Sequence, residues 1–304
     1  MVSQGRTLSG FVESIGIGRI NVQANEYRQQ ESERDMKRIL ITGDDGIFAD
    51  GLWALADSLR RNFDILVVAP DRKQNAVGNS ATVDRPFRVR KLNDIRPGVE
   101  TWAIEGTPLD SIFFAAYKLA PGEISLVISG VNEGLNQNGD IYSSGTVSAA
   151  MTASMAGLPA VALSQELGIP QRLDSAISLA ILLAQYAEAE SWLSDLCLNI
   201  NLPNLPLEAM KGIKPTRFIS SGVYIDSVRA DSSHGDAEHS VEGSLYWLVR
   251  QRGVAKADRH SDIWAVQNGY ISITSLHTLL NRPPPPILHK LCSAIATDLW
   301  TDGC

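Results

Sequence analysis

Two adjacent carboxylates between glycines, Asp44 and Asp45, are the side chains of this sequence with the clearest chemical potential. They follow an apolar run at 39–42 that predicts a buried first strand, and open α/β sheets bind ligands beyond the carboxyl ends of their strands. Neighbouring like charges are unfavourable unless a cation offsets them, and carboxylate oxygens suit a hard divalent ion such as Mg²⁺ or Mn²⁺. The pair alone is equally consistent with a polar turn in which one aspartate caps the next helix.

A second polar cluster follows the next predicted strand, at 65–69. The loop 73–81 contains Asn75, whose side chain offers a neutral oxygen ligand, together with several backbone donors. If the two strands are parallel, this loop leaves the same edge of the sheet as the acid pair.

A third cluster follows the predicted strand 125–129. Asn132 and Asn136 offer carbonyl oxygens to a metal and amide N–H groups to a phosphate. Ser144, Gly145 and Thr146 then begin a helix rich in small residues, and the N–H groups and dipole at a helix start favour an anion. Taken alone, Ser144 or Thr146 is an ordinary N-cap. Because three strand ends converge, the sequence predicts a metal beside an anion cradle, which indicates phosphoryl chemistry.

The elements that must position these residues alternate between strand and helix. Strands are predicted at 39–42, 65–69, 125–129 and 159–164, and helices ending near Arg61, following Pro108, and at 145–156 and 172–190. This alternation predicts an α/β fold with a doubly wound, mostly parallel sheet.

The pattern changes beyond about residue 205, where we expect an appendage to the α/β body. It comprises predicted strands at 216–220, 244–250 and 270–275, a long polar loop at 226–243, a stiff proline run at 282–286 and a terminal helix near 287–300. The first 35 residues differ again in composition, and we expect an extension upstream of a physiological start at Met36. The expected organisation is therefore an N-terminal extension at 1–35, a catalytic core at 36–205 and a C-terminal part at 206–304.

Composition narrows the classes of partner. The chain has 304 residues with 27 Lys and Arg against 34 Asp and Glu, a net charge of −7, which argues against a general DNA or RNA binder. It contains no apolar run of about 18 residues, so no membrane span is expected. Three sparse cysteines are typical of reduced thiols in the cytoplasm.

Four blocks in order resemble the SurE (survival protein E) family of nucleotidases. They are ILITGDDGIFADG, VVAPDRKQNAVGNS, EGTPLDS and SGVNEGLNQNGDIYSSGTVSAAM, and a weaker resemblance continues through LYWLV and DIWAVQNGYISITSLH. The resemblance implies a Rossmann-like core and a phosphatase that hydrolyses nucleoside 5′- and 3′-monophosphates with one divalent metal ion per subunit. It also implies a homodimer or homotetramer formed partly by exchanged C-terminal segments.

Carried over by position, the resemblance makes Asp44 and Asp45 catalytic residues and, with Asn75 and Asn132, metal ligands. It assigns phosphate binding to Asn136, Ser144, Gly145 and Thr146, and a supporting role at the neighbouring subunit's site to Asp262. Asn75 stands where the family usually has serine, and Gly43 stands where it usually has asparagine. These two departures keep open a catalytically weakened, nucleotide-binding relative.

Three other enzyme classes fit the residues less well. A haloacid dehalogenase-type phosphatase needs an acid two residues after its nucleophile, where this chain has Gly46. No GxGxxG follows the first strand, as a dinucleotide-binding dehydrogenase requires, and no Gly-x-Ser-x-Gly elbow of a serine hydrolase is present.

Overall fold

The computed structural model describes residues 38–93, 95–189, 197–218, 227–230, 246–249 and 258–276. The expected extension at 1–35, the start at Met36, the proline run at 282–286 and the terminal helix near 287–300 lie outside these residues. Within the described ranges, every helix is too short or too polar to cross a bilayer.

Most of the described strands form one sheet. The strands are β1 (Arg38–Thr42), β2 (Ile65–Pro70), β3 (Val89–Lys91), β4 (Glu100–Ile104), β5 (Ile124–Glu133), β6 (Ala160–Gln165), β7 (Cys197–Leu202), β8 (Ile213–Thr216), β9 (Ser227–Ala230), β10 (Tyr246–Val249) and β11 (Ile271–Ser275). Nine of them follow the spatial order β3-β4-β2-β1-β5-β6-β7-β11-β8. The six neighbouring strands β4, β2, β1, β5, β6 and β7 are mutually parallel. Strands β3 and β11 join them antiparallel, and β8 runs parallel to β11. The expected mostly parallel sheet is confirmed.

Helices cover both faces of this sheet. They are α1 (Asp50–Leu59), α2 (Pro108–Phe114, continuing as a π-helix at Ala115–Leu119), α3 (Gly145–Met155), α4 (Asp174–Ala189) and α5 (Asp262–Gln267). Helices α1 and α4 pack in one apolar cluster with Ile39 and Ile41, and α2 and α3 pack in another with Leu40. Burying each such side chain stabilises the fold by about 1.5–3 kcal/mol, which explains the continuous apolar runs of the central strands.

Two expectations for the C-terminal region are wrong. The strand expected at 216–220 is β8, which ends at Thr216, because its ladder with β11 pairs Ile213 with Ile271 and Thr216 with Thr274. The polar segment 226–243 is not entirely a loop, because β9 lies within it and pairs antiparallel with β10. In contrast, β10 and β11 confirm the strands expected at 244–250 and 270–275.

Candidate active site

Asp44, Asp45, Asn75 and Asn132 lie at or just beyond the carboxyl ends of three adjacent strands, β1, β2 and β5. Asp44 and Asp45 follow β1, and Thr42 of β1 lies in register with Ser129 of β5. Strand β5 continues to Glu133 after a break in its register with β6 between Ser129 and Asn132, and this extension carries Asn132 to the sheet edge. The parallel arrangement therefore brings the acid pair and Asn132 to one place.

Asp44 is buried against the start of α3. It is 5% exposed, and its Oδ1 accepts a 2.5 Å hydrogen bond from the Thr146 hydroxyl. Burial raises the pKa of the Asp44 carboxyl above its ordinary value; hydrogen bonds from Thr146 oppose this rise, and the charge of Asp45 adds to it. A bound cation would favour the ionised form of Asp44.

Gly145 permits this close approach of helix and carboxylate. A Cβ atom at Gly145 would lie 2.6 Å from Cβ of Asp44 and 3.0 Å from its Oδ2. Because real Cβ contacts are not this short, the absence of a side chain at Gly145 is what lets the positive end of the α3 dipole face the Asp44 carboxylate.

Asp45 lies closer to solvent but remains mostly covered. Its Oδ2 accepts a 3.3 Å hydrogen bond from the backbone N–H of Glu133. Its Oδ1 is 3.4 Å from Nζ of Lys73, with side-chain exposures of 9% for Asp45 and 64% for Lys73. The two acids therefore differ in their contacts, because Asp44 is bonded to α3 whereas Asp45 contacts β5 and the loop after β2.

The loop after β2 is fixed to the acid pair through its backbone. The Gln74 N–H donates a 2.6 Å hydrogen bond to the carbonyl oxygen of Asp44, and the Gly78 N–H donates to the carbonyl oxygen of Ser143 at 2.8 Å. Asn75 is exposed, and its side chain makes no hydrogen bond with the described part of the chain. Its carbonyl oxygen is thus available next to the anchored Gln74.

Asn132 has an oxygen available for a cation. Its Nδ2 donates a 2.8 Å hydrogen bond to the carbonyl oxygen of Gly134, which turns the side chain so that Oδ1 remains as an acceptor. The set of two carboxylates and two amide oxygens consists of hard oxygen donors, which fits Mg²⁺ or Mn²⁺. The described residues contain no cluster of three or more His, Cys, Asp or Glu that could hold a metal, so the two carboxylates would need further oxygen ligands, and Asn75 and Asn132 offer such oxygens.

Asn136 is anchored within a buried polar network. Its Nδ2 donates to Oγ of Ser164 at 2.9 Å, and its backbone N–H donates to Oδ1 of Asn201 at 2.8 Å. Its carbonyl oxygen accepts from Nδ2 of both Asn199 and Asn201 at 2.8 and 3.0 Å. Sequence reasoning missed Asn199, Asn201 and Ser164, although two asparagines in the apolar strand CLNINL were a signal, because fully buried amides need partners.

The start of α3 already uses two of the side chains expected to bind phosphate. The Ser144 hydroxyl accepts from the Val147 N–H at 3.1 Å as an N-cap, and Thr146 is bonded to Asp44. The Gly145 N–H remains as a donor of this first turn, because four N–H groups at a helix start lack partners within the helix.

Asp262 is hydrogen-bonded within its own chain. It is fully buried, and its Oδ2 accepts a 2.7 Å hydrogen bond from the Asn138 N–H while its carbonyl oxygen accepts from Nε2 of Gln137 at 2.9 Å. Burial raises the pKa of Asp262 to about 6, opposed by the hydrogen bonds from the backbone N–H groups of Asn138 and Ile263. Asp262 therefore holds the segment that follows Asn136.

Comparison with known proteins gives a family for this fold and arrangement. The family described as Survival protein SurE matches residues 39–223, which is more than half of the chain. The chain belongs to the SurE family. Proteins named 5′-nucleotidase SurE are similar to it: that of Dehalococcoides mccartyi strain CBDB1 is 37% identical over 81% of this chain and 91% of its own length. That of Synechococcus sp. strain CC9311 is 40% identical over 79% of this chain and 91% of its own length.

A solved structure has the same fold. The crystal structure of the Sure protein from Aquifex aeolicus superposes with a TM-score of 0.64 and 34% sequence identity, covering 79% of this chain and 92% of that chain. The α/β architecture expected from the strand and helix pattern is thus shared with a member of the family.

Proposed function

We propose that this chain is a metal-dependent phosphomonoesterase that hydrolyses nucleoside 5′- and 3′-monophosphates to nucleoside and phosphate. The observation that carries the proposal is the acid pair Asp44 and Asp45, which lies beyond β1 in a family whose relatives are named 5′-nucleotidase SurE. The donors around the pair, two amide oxygens and one helix N-terminus, support chemistry on a dianionic phosphate.

In this proposal Asp44, Asp45, Asn75 and Asn132 hold one Mg²⁺ or Mn²⁺ ion per subunit. Such an ion supplies Lewis-acid polarisation of the phosphoryl group and lowers the pKa of the attacking water. Both acids have one carboxylate oxygen already bonded within the chain, Oδ1 of Asp44 to Thr146 and Oδ2 of Asp45 to the Glu133 N–H. Each acid therefore enters the site with a fixed orientation.

Asp45 is the better placed of the two to orient the attacking water. Its Oδ1 faces an exposed lysine side chain rather than a buried partner, so this oxygen can accept a hydrogen bond from water when the lysine moves. Asp44 is buried and saturated on one side by Thr146, which suits a ligand more than a base.

Phosphate binding in this proposal comes from the turn that begins α3 and from Asn136. The Gly145 N–H and the helix dipole would stabilise the phosphate oxygens, whereas the Ser144 and Thr146 side chains shape the turn by capping it and by holding Asp44. Asn136 would take part in phosphate binding from the position in which its hydrogen bonds to Ser164 and Asn201 hold it.

Localisation and assembly belong to the same proposal: a cytoplasmic homodimer or homotetramer that acts on a small nucleotide and not on duplex nucleic acid or a membrane. Among the described residues several large apolar side chains are strongly exposed, including Tyr117, Met155 and Ile169, and such side chains are often covered in an oligomer.

Cys197 is buried, and burial raises the pKa of its thiol to about 12, so this thiol is unreactive.

The deciding experiment measures phosphate release by the purified protein from a panel of nucleoside 5′- and 3′-monophosphates. We expect release with Mn²⁺ or Mg²⁺ and none with a chelator. A folded protein that is silent with both metals across the whole panel would contradict the proposal.

A catalytically weakened, nucleotide-binding relative is the second candidate, because Asn75 and Gly43 depart from the usual family residues. Among the described residues nothing around Gly43 requires a glycine, since a Cβ atom there would make only ordinary contacts, the nearest at 3.8 Å with the backbone of Gly130. The restoring variants Asn75→Ser and Gly43→Asn separate the candidates. A silent wild-type protein that becomes active on restoration would establish the weakened form.

A further inference from the structure

Among the described residues, Lys73 is the basic residue that forms an ion pair with the acid pair. Its Nζ lies 3.4 Å from Oδ1 of Asp45, and its side chain is 64% exposed whereas that of Asp45 is 9% exposed. The ion pairs of other nearby basic residues go elsewhere, as Arg90 pairs with Asp71 at 3.1 Å and Lys91 with Glu100 at 3.2 Å. The mostly buried carboxylate of Asp45 is thus paired with the ammonium group of a solvent-exposed lysine.

The backbone around Lys73 is fixed against the site. The next residue, Gln74, donates its N–H to the carbonyl oxygen of Asp44 at 2.6 Å. Gly46 has a φ of +91°, and a Cβ atom there would come within 3.0 Å of the Arg72 carbonyl carbon and 3.3 Å of the Lys73 N. The main chain of Lys73 is therefore held beside the acid pair, while its four-carbon side chain reaches outward from a fixed point.

Charge decides what this side chain does when a divalent cation arrives. Without the cation, the ammonium offsets part of the repulsion between the two neighbouring carboxylates. With a cation on Asp45, the ammonium faces a like charge at short range and is repelled from Oδ1. Lysine is a flexible point charge that binds phosphate without a demand for fixed geometry, so a dianionic phosphate at the same site gives it a new partner.

We propose that Lys73 is a mobile cation of the site, which neutralises Asp45 in the metal-free protein and moves to the substrate phosphate once the acid pair holds a divalent metal. This inference rests on the proposed function for the identity of the substrate, but its two steps are binding events. The movement of Lys73 also leaves Oδ1 of Asp45 free to accept a hydrogen bond from the attacking water.

Calorimetry with Mn²⁺ alone tests the first step. Replacing Lys73 by methionine removes the charge and keeps the length of the side chain, so Lys73→Met should bind Mn²⁺ about threefold or more tightly than the wild-type protein. Lys73→Arg keeps the charge and should stay close to wild type. Lys91→Met is the matched control, because it removes an exposed lysine of another ion pair and should leave Mn²⁺ binding unchanged.

Titration of inorganic phosphate into the Mn²⁺-loaded proteins tests the second step. Lys73→Met should bind phosphate about tenfold more weakly, because a charge-assisted contact is lost, while Lys73→Arg and Lys91→Met should bind it as wild type does. Unchanged or weaker Mn²⁺ binding by Lys73→Met, or unchanged phosphate binding, would overturn the proposal, as would a wild-type protein that binds no Mn²⁺. If both binding shifts occur but no nucleotide is hydrolysed, the role of Lys73 stands and the proposed nucleotidase function fails.

Discussion

The hydroxyl of Thr146 donates a 2.5 Å hydrogen bond to Oδ1 of Asp44 and so joins the first turn of α3 to the end of β1. The two residues are 102 positions apart in the sequence, and both are almost fully buried. This contact fixes the orientation of one acid of the pair before any ligand arrives, which is the preorganisation that a metal or phosphate site requires.

Replacing Thr146 by valine should therefore destabilise the protein. The change keeps the shape but leaves a buried carboxylate oxygen without its donor, and hydrogen bonds to charged groups contribute about 1.5–3 kcal/mol. Thr146→Ser keeps the hydroxyl and should retain most of that stability. The free energy of unfolding in urea measures both variants, and equal values for Thr146→Val and wild type would show that the contact contributes nothing.

Gly145→Ala should disrupt the site while Gly43→Ala should not. An added Cβ atom at Gly145 would lie 2.6 Å from Cβ of Asp44, whereas one at Gly43 has its nearest neighbours at 3.8 Å. Because small misplacements at a catalytic centre are costly, we expect Gly145→Ala to lose about 100-fold in kcat/KM and Gly43→Ala to lose less than about twofold. Steady-state kinetics on a nucleoside monophosphate compare the pair, and similar losses in both would contradict the packing argument.

Asn201→Ala should weaken both the fold and the activity. The substitution removes the acceptor of the Asn136 N–H and one donor to the Asn136 carbonyl oxygen, and each buried polar group left unpaired costs about 1–3 kcal/mol. Asn62 is exposed, so Asn62→Ala is the matched control and should be neutral. Urea unfolding and KM report the two effects, and a stable Asn201→Ala protein with normal KM would remove the anchoring role.

Much of this arrangement follows from the sequence because it depends on local patterns. Short β-branched runs identify buried parallel strands, and the parallel rule then brings Asp44, Asp45 and Asn132 to one edge of the sheet. The hydrogen-bond partner of each side chain, in contrast, does not follow from local sequence patterns. Asn199 and Asn201 bond to Asn136 across 63 and 65 residues, and Asp262 bonds to Asn138 across 124.

The missed elements have the same physical cause. Strand β9 lies in a polar segment and exists through its pairing with β10, so its own residues carry little strand signal. The ion pair of Lys73 with Asp45 needs the loop after β2 folded onto the loop after β1, which the hydrogen bond from Gln74 to Asp44 achieves. Neither contact leaves a periodic pattern in the sequence.

Asp262 should give the folding stability a specific pH dependence. Its folded pKa of about 6 lies above the ordinary value of 3.8, so the folded state holds this proton more tightly than the unfolded state. The resulting stabilisation is fully present below the ordinary pKa and is lost as pH rises through 6. At about 1.4 kcal/mol per pKa unit, the loss relative to Asp262→Asn should reach about 3 kcal/mol. Urea unfolding of both proteins from pH 3 to 7 measures the difference, which would stay constant if Asp262 did not titrate in this window.

The most direct test of the central claim is the metal-dependent release of phosphate from nucleoside monophosphates by Asp44→Asn, beside Asp84→Asn as a control on an exposed aspartate outside the site. We predict that Asp84→Asn releases phosphate as wild type does, and that Asp44→Asn remains folded but loses at least about 100-fold in turnover, since it removes one charge from the acid pair. Wild-type turnover by a folded Asp44→Asn protein would show that the acid pair is not the catalytic site.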